Sequence, residues 1–217
     1  MTALSDYCNE VRDWIDDTDP SDALITTWVR DAEERINNEL RTDIQTVRTY
    51  ATFDDDCVKL PDDWLEFLYV RYKGGRPFEF ITNHDYWELR PNYLYGTSPP
   101  PNTSGETNYT QGKALYTIIG RTLFVWPPID PNALTQVEIA YYRKVVPLGA
   151  NIDPVQVRYP TVYRYCTLSA AAPYLIEDDR LQIFASLATA GIQKANDASK
   201  QARHSGSPIA PRIRGFG

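Results

Sequence analysis

Residues 19–53, DPSDALITTWVRDAEERINNELRTDIQTVRTYATF, change their hydrophobic period partway along, and that change decides the fold class. The stretch opens on a helix start signal: Asp19 reads as the N-cap, Pro20 as the first helical position and Asp22 as an acidic third position. Behind it Leu24, Trp28, Ala32, Ile36 and Leu40 recur at helical spacing, with Ile25 and Val29 widening the stripe. Asp31, Glu33, Glu34 and Glu39 fall largely off that stripe, so the spacing predicts an amphipathic helix to about Arg41. After Arg41 the period becomes two. Val47, Thr49, Ala51 and Phe53 alternate with Arg48, Tyr50 and Thr52, the pattern of a half-buried strand.

Working outward, Leu4, Cys8, Val11 and Ile15, with Trp14 beside them, predict a helix over 3–16. Downstream, Asp54-Asp55-Asp56 reads as a turn, and Val58 to Leu60 as a short strand closed by Pro61-Asp62-Asp63. Phe67 to Tyr72 reads as a strand, Gly74-Gly75 as a tight turn, and Pro77 to Ile81 as the returning strand. Asn83 caps a short helix through Leu89. Positions 91–112, rich in Pro, Asn, Thr, Ser and Gly, predict a long exposed and mobile loop. Two strands, Ala114 to Ile119 and Thr122 to Trp126, are joined at Gly120-Arg121, and Pro127-Pro128 ends the second. Gln136 to Lys144 is the last strand, with Val137, Ile139 and Tyr141 on one face. Helix returns near Pro160 and runs to about Ala172. A final helix starts near Asp178, where Glu177, Asp178 and Asp179 suit its N-terminal dipole, and its stripe is Leu181, Phe184, Leu187, Ala188, Ile192 and Ala195.

The expected fold class is α+β: a helical bundle from N- and C-terminal helix pairs, an inserted antiparallel β-rich middle region, and an extended C-terminal arm. In numbers this gives bundle helices in 1–44, the β-rich insertion in 45–150, further bundle helices in 151–204 and the arm in 205–217.

At 217 residues the chain can bury roughly 70 % of its unfolded surface, so its core needs no disulfide or metal staple. The net charge of -7 is uneven: positions 1–66 carry 18 acidic and 6 basic residues, the rest 11 and 16, which suggests surfaces with different partners. The 15 tyrosines suit sheets and part-wet contact surfaces. Cys8, Cys57 and Cys166 lack ligand spacing and read as buried free thiols of a reducing compartment. The first residues have no basic-then-apolar leader pattern, and no run approaches ~18 apolar residues. A soluble chain, intracellular where it is made, is the expectation.

Catalytic chemistry is not legible. His84 and His204 sit in no motif, and no metal or phosphate-loop spacing occurs, so neither an enzyme nor a cofactor is expected. The clusters Asp54-Asp55-Asp56 with Asp62-Asp63, and Glu177-Asp178-Asp179, read as turns and caps. A hydrolase acting through Asp54 to Asp56 is the enzymatic alternative. Trp64, Tyr86, Trp87, Tyr93 and Tyr95 form the set a glycan-binding module would use, though aromatics also belong in ordinary strands. The β region has no basic stripe for nucleic acid. The segment Ser205 to Gly217 is different. It holds Pro208, Ile209, Pro211, Arg212, Ile213, Arg214 and Phe216 with no acid, and reads as an arm that orders against a partner or neighbouring subunit rather than a frayed end.

Taken in order, several segments resemble the bacteriophage head-to-tail adaptor (connector) proteins of short-tailed and related tailed phages. They are Glu33 to Arg41, Lys59 to Glu66, the hairpin Tyr116 to Pro128, Glu138 to Lys144 leading to Pro147-Leu148, and Tyr159-Pro160 through Ala172-Pro173-Tyr174-Leu175 to Asp178-Asp179-Arg180. The resemblance implies a virion structural protein at the head–tail junction, made in the host cytoplasm. It implies a homo-oligomeric ring, commonly of 12 copies, docked under the portal protein and joined to tail or nozzle proteins. Double-stranded DNA would pass through without sequence-specific binding, and no membrane is involved. The arm residues Pro208, Ile209, Pro211, Arg212, Ile213, Arg214 and Phe216 would then contact the portal or the next subunit. The loop 91–112 has no counterpart in that resemblance. The alternative is a receptor- or carbohydrate-binding module of a phage tail.

Overall fold

A computed structural model describes residues 4–16, 19–53, 57–72, 75–89, 114–126, 137–149, 153–172, 174 and 180–204. Among these the elements run α1 (Leu4–Ile15), α2 (Asp22–Glu39), a single 3-10 turn (Asp43–Gln45), β1 (Thr46–Ala51), β2 (Cys57–Lys59), β3 (Trp64–Tyr72), β4 (Glu79–Phe80), α3 (Asn83–Leu89), β5 (Leu115–Ile119), β6 (Thr122–Trp126), β7 (Val137–Arg143), α4 (Pro154–Arg158), α5 (Pro160–Ala170) and α6 (Leu181–His204). The protein is α+β. The chain divides into two compact units, Met1–Gln45 with Lys144–Gly217, and Thr46–Arg143.

In the helical unit the apolar stripes meet in two clusters. Ala32 and Ile36 from α2, and Leu40 at its C-cap, pack with Val162, Tyr163 and Cys166 of α5 and with Ala188, Ile192 and Ala195 of α6. One turn earlier on α2, Ile25, Trp28 and Val29 pack with Tyr7, Cys8, Val11 and Ile15 of α1 and with Leu168 and Phe184. Each fully buried aliphatic or aromatic side chain contributes roughly 1.5–3 kcal/mol, so these stripes hold the unit together. The α5–α6 contact is close: a methyl on Gly191 would lie 3.3 Å from Val162 Cγ2.

Three details of the helical reading change. The N-cap of α2 is Ser21, whose Oγ accepts from the Leu24 amide at 3.3 Å, so the helix starts after Asp19 and Pro20. Serine caps as well as aspartate, and the buried Pro20 ends the preceding segment, its carbonyl accepting from Arg12 Nε at 3.0 Å. The five-residue α4 was absent from the sequence reading; Asp153 caps it and Pro154 opens it. Leu187, assigned to the core stripe of α6, is 39 % exposed, because Phe184, Ala188, Ile192 and Ala195 already complete the buried face.

The other unit holds two sheets. One has the order β1-β7-β3, with β1 and β3 both antiparallel to the central β7. The second has the order β2-β6-β5-β4. Leu60, Val70, Leu123, Val125, Val137, Ile139 and Tyr141 form the main core, and Tyr86 of α3 joins Leu115 and Trp126 in a smaller cluster. The β5–β6 hairpin turns at Gly120-Arg121, with Ile119 opposite Thr122. Gly120 takes φ +61, and positive φ at the first of two loop residues suits glycine.

The expected all-antiparallel pairing is corrected at one place. After a single bridge between Arg71 and Pro77, the returning strand β4 leaves β3 and pairs in parallel with β5. The bond from Phe78 N to Val70 O is the last of the turn, and Glu79 N and Ile81 N then donate to Ala114 O and Tyr116 O. β3 also begins earlier than expected, at Trp64, and carries an irregularity between Phe67 and Tyr69. The arm 205–217, the loop 91–112 and the residues Glu177 to Asp179 lie outside the described residues.

Candidate functional site

β7 alternates as a strand must, with Val137, Ile139 and Tyr141 on the core side and Glu138, Ala140 and Tyr142 on the other. Both sets are buried, and over Glu138 lie the side chains of Arg48 from β1 and of Tyr69 and Arg71 from β3. Glu138 is 1 % exposed and opposes Tyr50 on β1 and Arg71 on β3. Its carboxylate accepts from Arg48 Nη2 at 2.9 Å, from the Tyr69 hydroxyl at 2.6 Å and from Arg71 Nη2 at 3.2 Å. Arg48 Nε closes a second ion pair to the same group. The Arg71 guanidinium lies 4.8 Å above the Tyr69 ring centre. The hydrogen bonds from Arg48 first, then from Tyr69, hold the Glu138 carboxyl at about 2, while the bond to Glu138 raises the Tyr69 phenol. One buried anion thus fixes two guanidiniums and a phenol on a single sheet face.

The helical unit has a second set of acceptors, Glu33, Asp153 and Ser199 buried and Asn37 and Asn196 half-buried, which hold the segments where the chain leaves and rejoins it. Asn37 Oδ1 takes the Val145 amide at 2.8 Å, Asp153 Oδ2 takes Val146 at 2.7 Å, and Glu33 Oε1 takes Leu148 at 2.6 Å. Pro147, between them, has no amide to satisfy. Asp153 also accepts from the Val155 amide at 2.8 Å and from the Tyr163 hydroxyl at 3.2 Å. Burial raises the Glu33 carboxyl, and the nearby Asp153 charge adds to that. Burial likewise raises the Tyr163 phenol. On the outgoing side, Arg41 N donates to Asn196 Oδ1 at 2.7 Å and Asp43 N to Ser199 Oγ at 2.8 Å.

The residues singled out by sequence fare unevenly. Pro208, Ile209, Pro211, Arg212, Ile213, Arg214 and Phe216 lie outside the described residues, as do Asp54 to Asp56, Tyr93 and Tyr95. Of the glycan-type aromatics, Tyr86 is fully buried, Trp64 packs on Phe67 in the main core, and Trp87 is exposed on α3, so no common platform forms from them. Asp62 pairs with Arg121 at 3.0 Å, and Asp63 accepts from the Tyr141 hydroxyl at 3.1 Å. Burial, then that hydrogen bond, raises the Tyr141 phenol to about 12. His84 pairs with Glu88 at the surface of α3. Among the described residues no group of three His, Cys, Asp or Glu could hold a metal ion, and no helix is long and apolar enough to cross a membrane. Cys8 and Cys166 are buried, but Cys57 is only half-buried; burial pushes the Cys166 thiol up to about 11. Sequence reasoning missed Glu33, Glu138 and Asp153. Glu138 and Asp153 are acids flanked by apolar residues, a local signal that could have marked them, whereas Glu33, beside Glu34, carries no such signal.

Compared with known proteins, the chain matches one family model over residues 2–212, that described as SU10 adaptor protein. No curated protein matches it.

Proposed function

The chain belongs to the SU10 adaptor protein family, a family of phage head-to-tail adaptors, and from that premise we propose that it forms the ring that docks under the portal and joins the capsid to the tail. The observation that carries the reading is the span of the match, which takes in both the helical and the β-rich unit. A structural adaptor acts by contact, so its working parts are surfaces and arms.

In this reading the helices of 1–44 and 151–204 make one bundle, and the two apolar clusters shared by α1, α2, α5 and α6 support that arrangement. The region 45–150 is an insertion in the sequence of that bundle, and 205–217 is the arm that reaches the portal or the adjacent subunit through Pro208, Ile209, Pro211, Arg212, Ile213, Arg214 and Phe216. Copies associate head to tail and close as a ring of 12, since only a heterologous contact whose rotation closes gives a ring. Tail or nozzle proteins bind the side away from the portal. Duplex DNA passes through without sequence-specific binding, and the excess of acids in 1–66 disfavours capture of its phosphates. The ring resides in the virion and takes up no cofactor.

The test is sedimentation of the purified protein alone and with the portal protein of the same phage. The expected result is a light species that shifts onto the portal ring and fails to shift when 205–217 are removed. No shift at any salt concentration refutes the docking, and a full shift without 205–217 refutes the role of the arm.

A further inference from the structure

We propose that the Arg48–Tyr50–Tyr69–Arg71 face of the β1-β7-β3 sheet is the seat for the acidic outer stripe of α2 in a second copy of this chain. The inference rests on the ring reading and supplies one of its contacts.

The first observation is the arrangement of charge. Arg48 and Arg71 keep 58 % and 30 % of their side chains exposed while both bind the one buried carboxylate of Glu138. Two cations on one anion leave this cluster with a net positive charge, the exposed Glu66 lying farther along the same side of the sheet opposite Tyr142, and a guanidinium has five donors, more than Glu138 and its neighbours use. Those unused donors suit carboxylates, which guanidiniums take in a planar fork.

Rigidity is the second. Arg48 is tied at the carboxylate, and Arg71 is tied there and stacked on Tyr69. A long side chain that is already held loses little freedom when a partner arrives. Tyr50, 47 % exposed and directly opposite Glu138, adds a flat amphipathic surface beside them. Tyrosine and arginine are the residue types that anchor protein contacts.

Charge complementarity on the same chain selects the occupant. On α2, Thr27, Asp31, Glu34 and Asn38 all lie on the exposed side, with the exposed Arg30 at its edge, opposite the buried Ile25, Trp28, Val29, Ala32 and Ile36. Asp31 and Glu34, one turn apart, have no ion pair among the described residues. The cationic face is in one unit and the acidic stripe in the other, so a pairing between copies joins unlike surfaces. That is the head-to-tail contact a closed ring requires. DNA fits the face less well, because two arginines interleaved with tyrosines make no basic stripe along a backbone.

The test uses the full chain assembled on portal rings, with Cys57→Ser removing the half-buried thiol. Tyr50→Cys is combined in turn with Asp31→Cys, Glu34→Cys or Asn38→Cys, and assemblies are oxidised and run on a non-reducing gel. A ladder of covalent multimers is expected for at least one pair and for neither single variant. Portal-bound protein in normal amount without a ladder overturns this inference and leaves the ring standing. Cross-links confined within single chains, or to a different protein, overturn it as well. Failure to associate with the portal at all overturns the ring and the inference together. A second measurement does not depend on thiol geometry. Asp31→Lys/Glu34→Lys, at exposed side chains away from the Glu138 cluster, should lower the amount of bound protein about tenfold at low salt, and an unchanged amount counts against the pairing.

Discussion

Replacing Asp153 by alanine removes three hydrogen bonds at one stroke. Its carboxylate caps α4 through the Val155 amide, holds Val146 where the chain rejoins the helical unit, and accepts from the Tyr163 hydroxyl. Loss of an N-cap costs about 1 kcal/mol. The other two donors are left without an acceptor in a site where Asp153 is 2 % exposed, at roughly 1–3 kcal/mol each. Glu33 gains from losing a like charge nearby, which offsets part of the sum. The net cost is about 4 kcal/mol, and for a chain of this length each kcal/mol moves Tm by roughly 2–4 °C, so a fall of about 8–16 °C is expected. Asp153→Asn is the informative companion. It keeps one oxygen on Val155 and turns the other atom into a donor, from which the Tyr163 hydroxyl can rotate to accept but which leaves the Val146 amide without its acceptor. Its cost should be about 1–2 kcal/mol. Thermal unfolding followed by circular dichroism reads the order, and amide exchange at Val146 reads the local effect directly. An alanine variant that loses less than about 3 °C, or an asparagine variant as damaged as the alanine one, would refute this account of the anchor.

Glu138 is held at about 2, below its unfolded value of roughly 4.3, so its contribution is present above the unfolded value and fades as pH falls toward 2. Glu138→Gln should therefore flatten the acid limb of stability between those values, and an unchanged limb in urea titrations would count against the cluster. Glu33 behaves oppositely: burial raises its carboxyl, so stability falls as pH rises from roughly 4.3 through the raised value. Glu33→Gln keeps an acceptor for Leu148 and should abolish that decline, which melts across the same range would reveal. Gly120→Ala places a methyl in open space at φ +61 and should cost about 1–2 kcal/mol from backbone strain alone; a neutral result would mean that the turn relaxes.

The periodic features were legible because they are local. The stripe of α2, the alternation of β1 and the Gly120-Arg121 hairpin each declare themselves within a dozen residues. The polar anchors were not, because their partners lie far along the chain. Glu33 reads as solvated from its neighbours, yet its acceptor role is set by Leu148, 115 positions away. Glu138 looks like the wet side of an alternating strand, and it is buried only because β1 and β3 bring Arg48, Tyr69 and Arg71 over it. Strand order is a global property, and period two says which residues share a face without saying whether a second face is covered. The parallel pairing of β4 failed for the same reason: a Gly-Gly turn suggests a hairpin, but it takes the position of β5 to draw Glu79–Phe80 away from β3.

The polar anchors also explain how the helical unit handles two stretches of chain that belong to neither helix nor sheet. Around residues 40–43 and 145–148 the chain runs between the long helices and the strands, where backbone amides have no ladder partner, and a buried amide without an acceptor costs about 1–3 kcal/mol. Water could satisfy them, but only by leaving the segments loose. Instead Asn196 and Ser199 from α6 take Arg41 and Asp43, while Asn37 and Glu33 from α2 take Val145 and Leu148. Asn196 in turn donates to Glu39 O at 2.9 Å, so it binds the end of α2 as well as the outgoing strand. Both points at which the chain leaves and re-enters the helical unit are therefore bonded to long helices rather than to solvent. Polar side chains already held on rigid helices fix these entry and exit points at little further cost in conformational freedom.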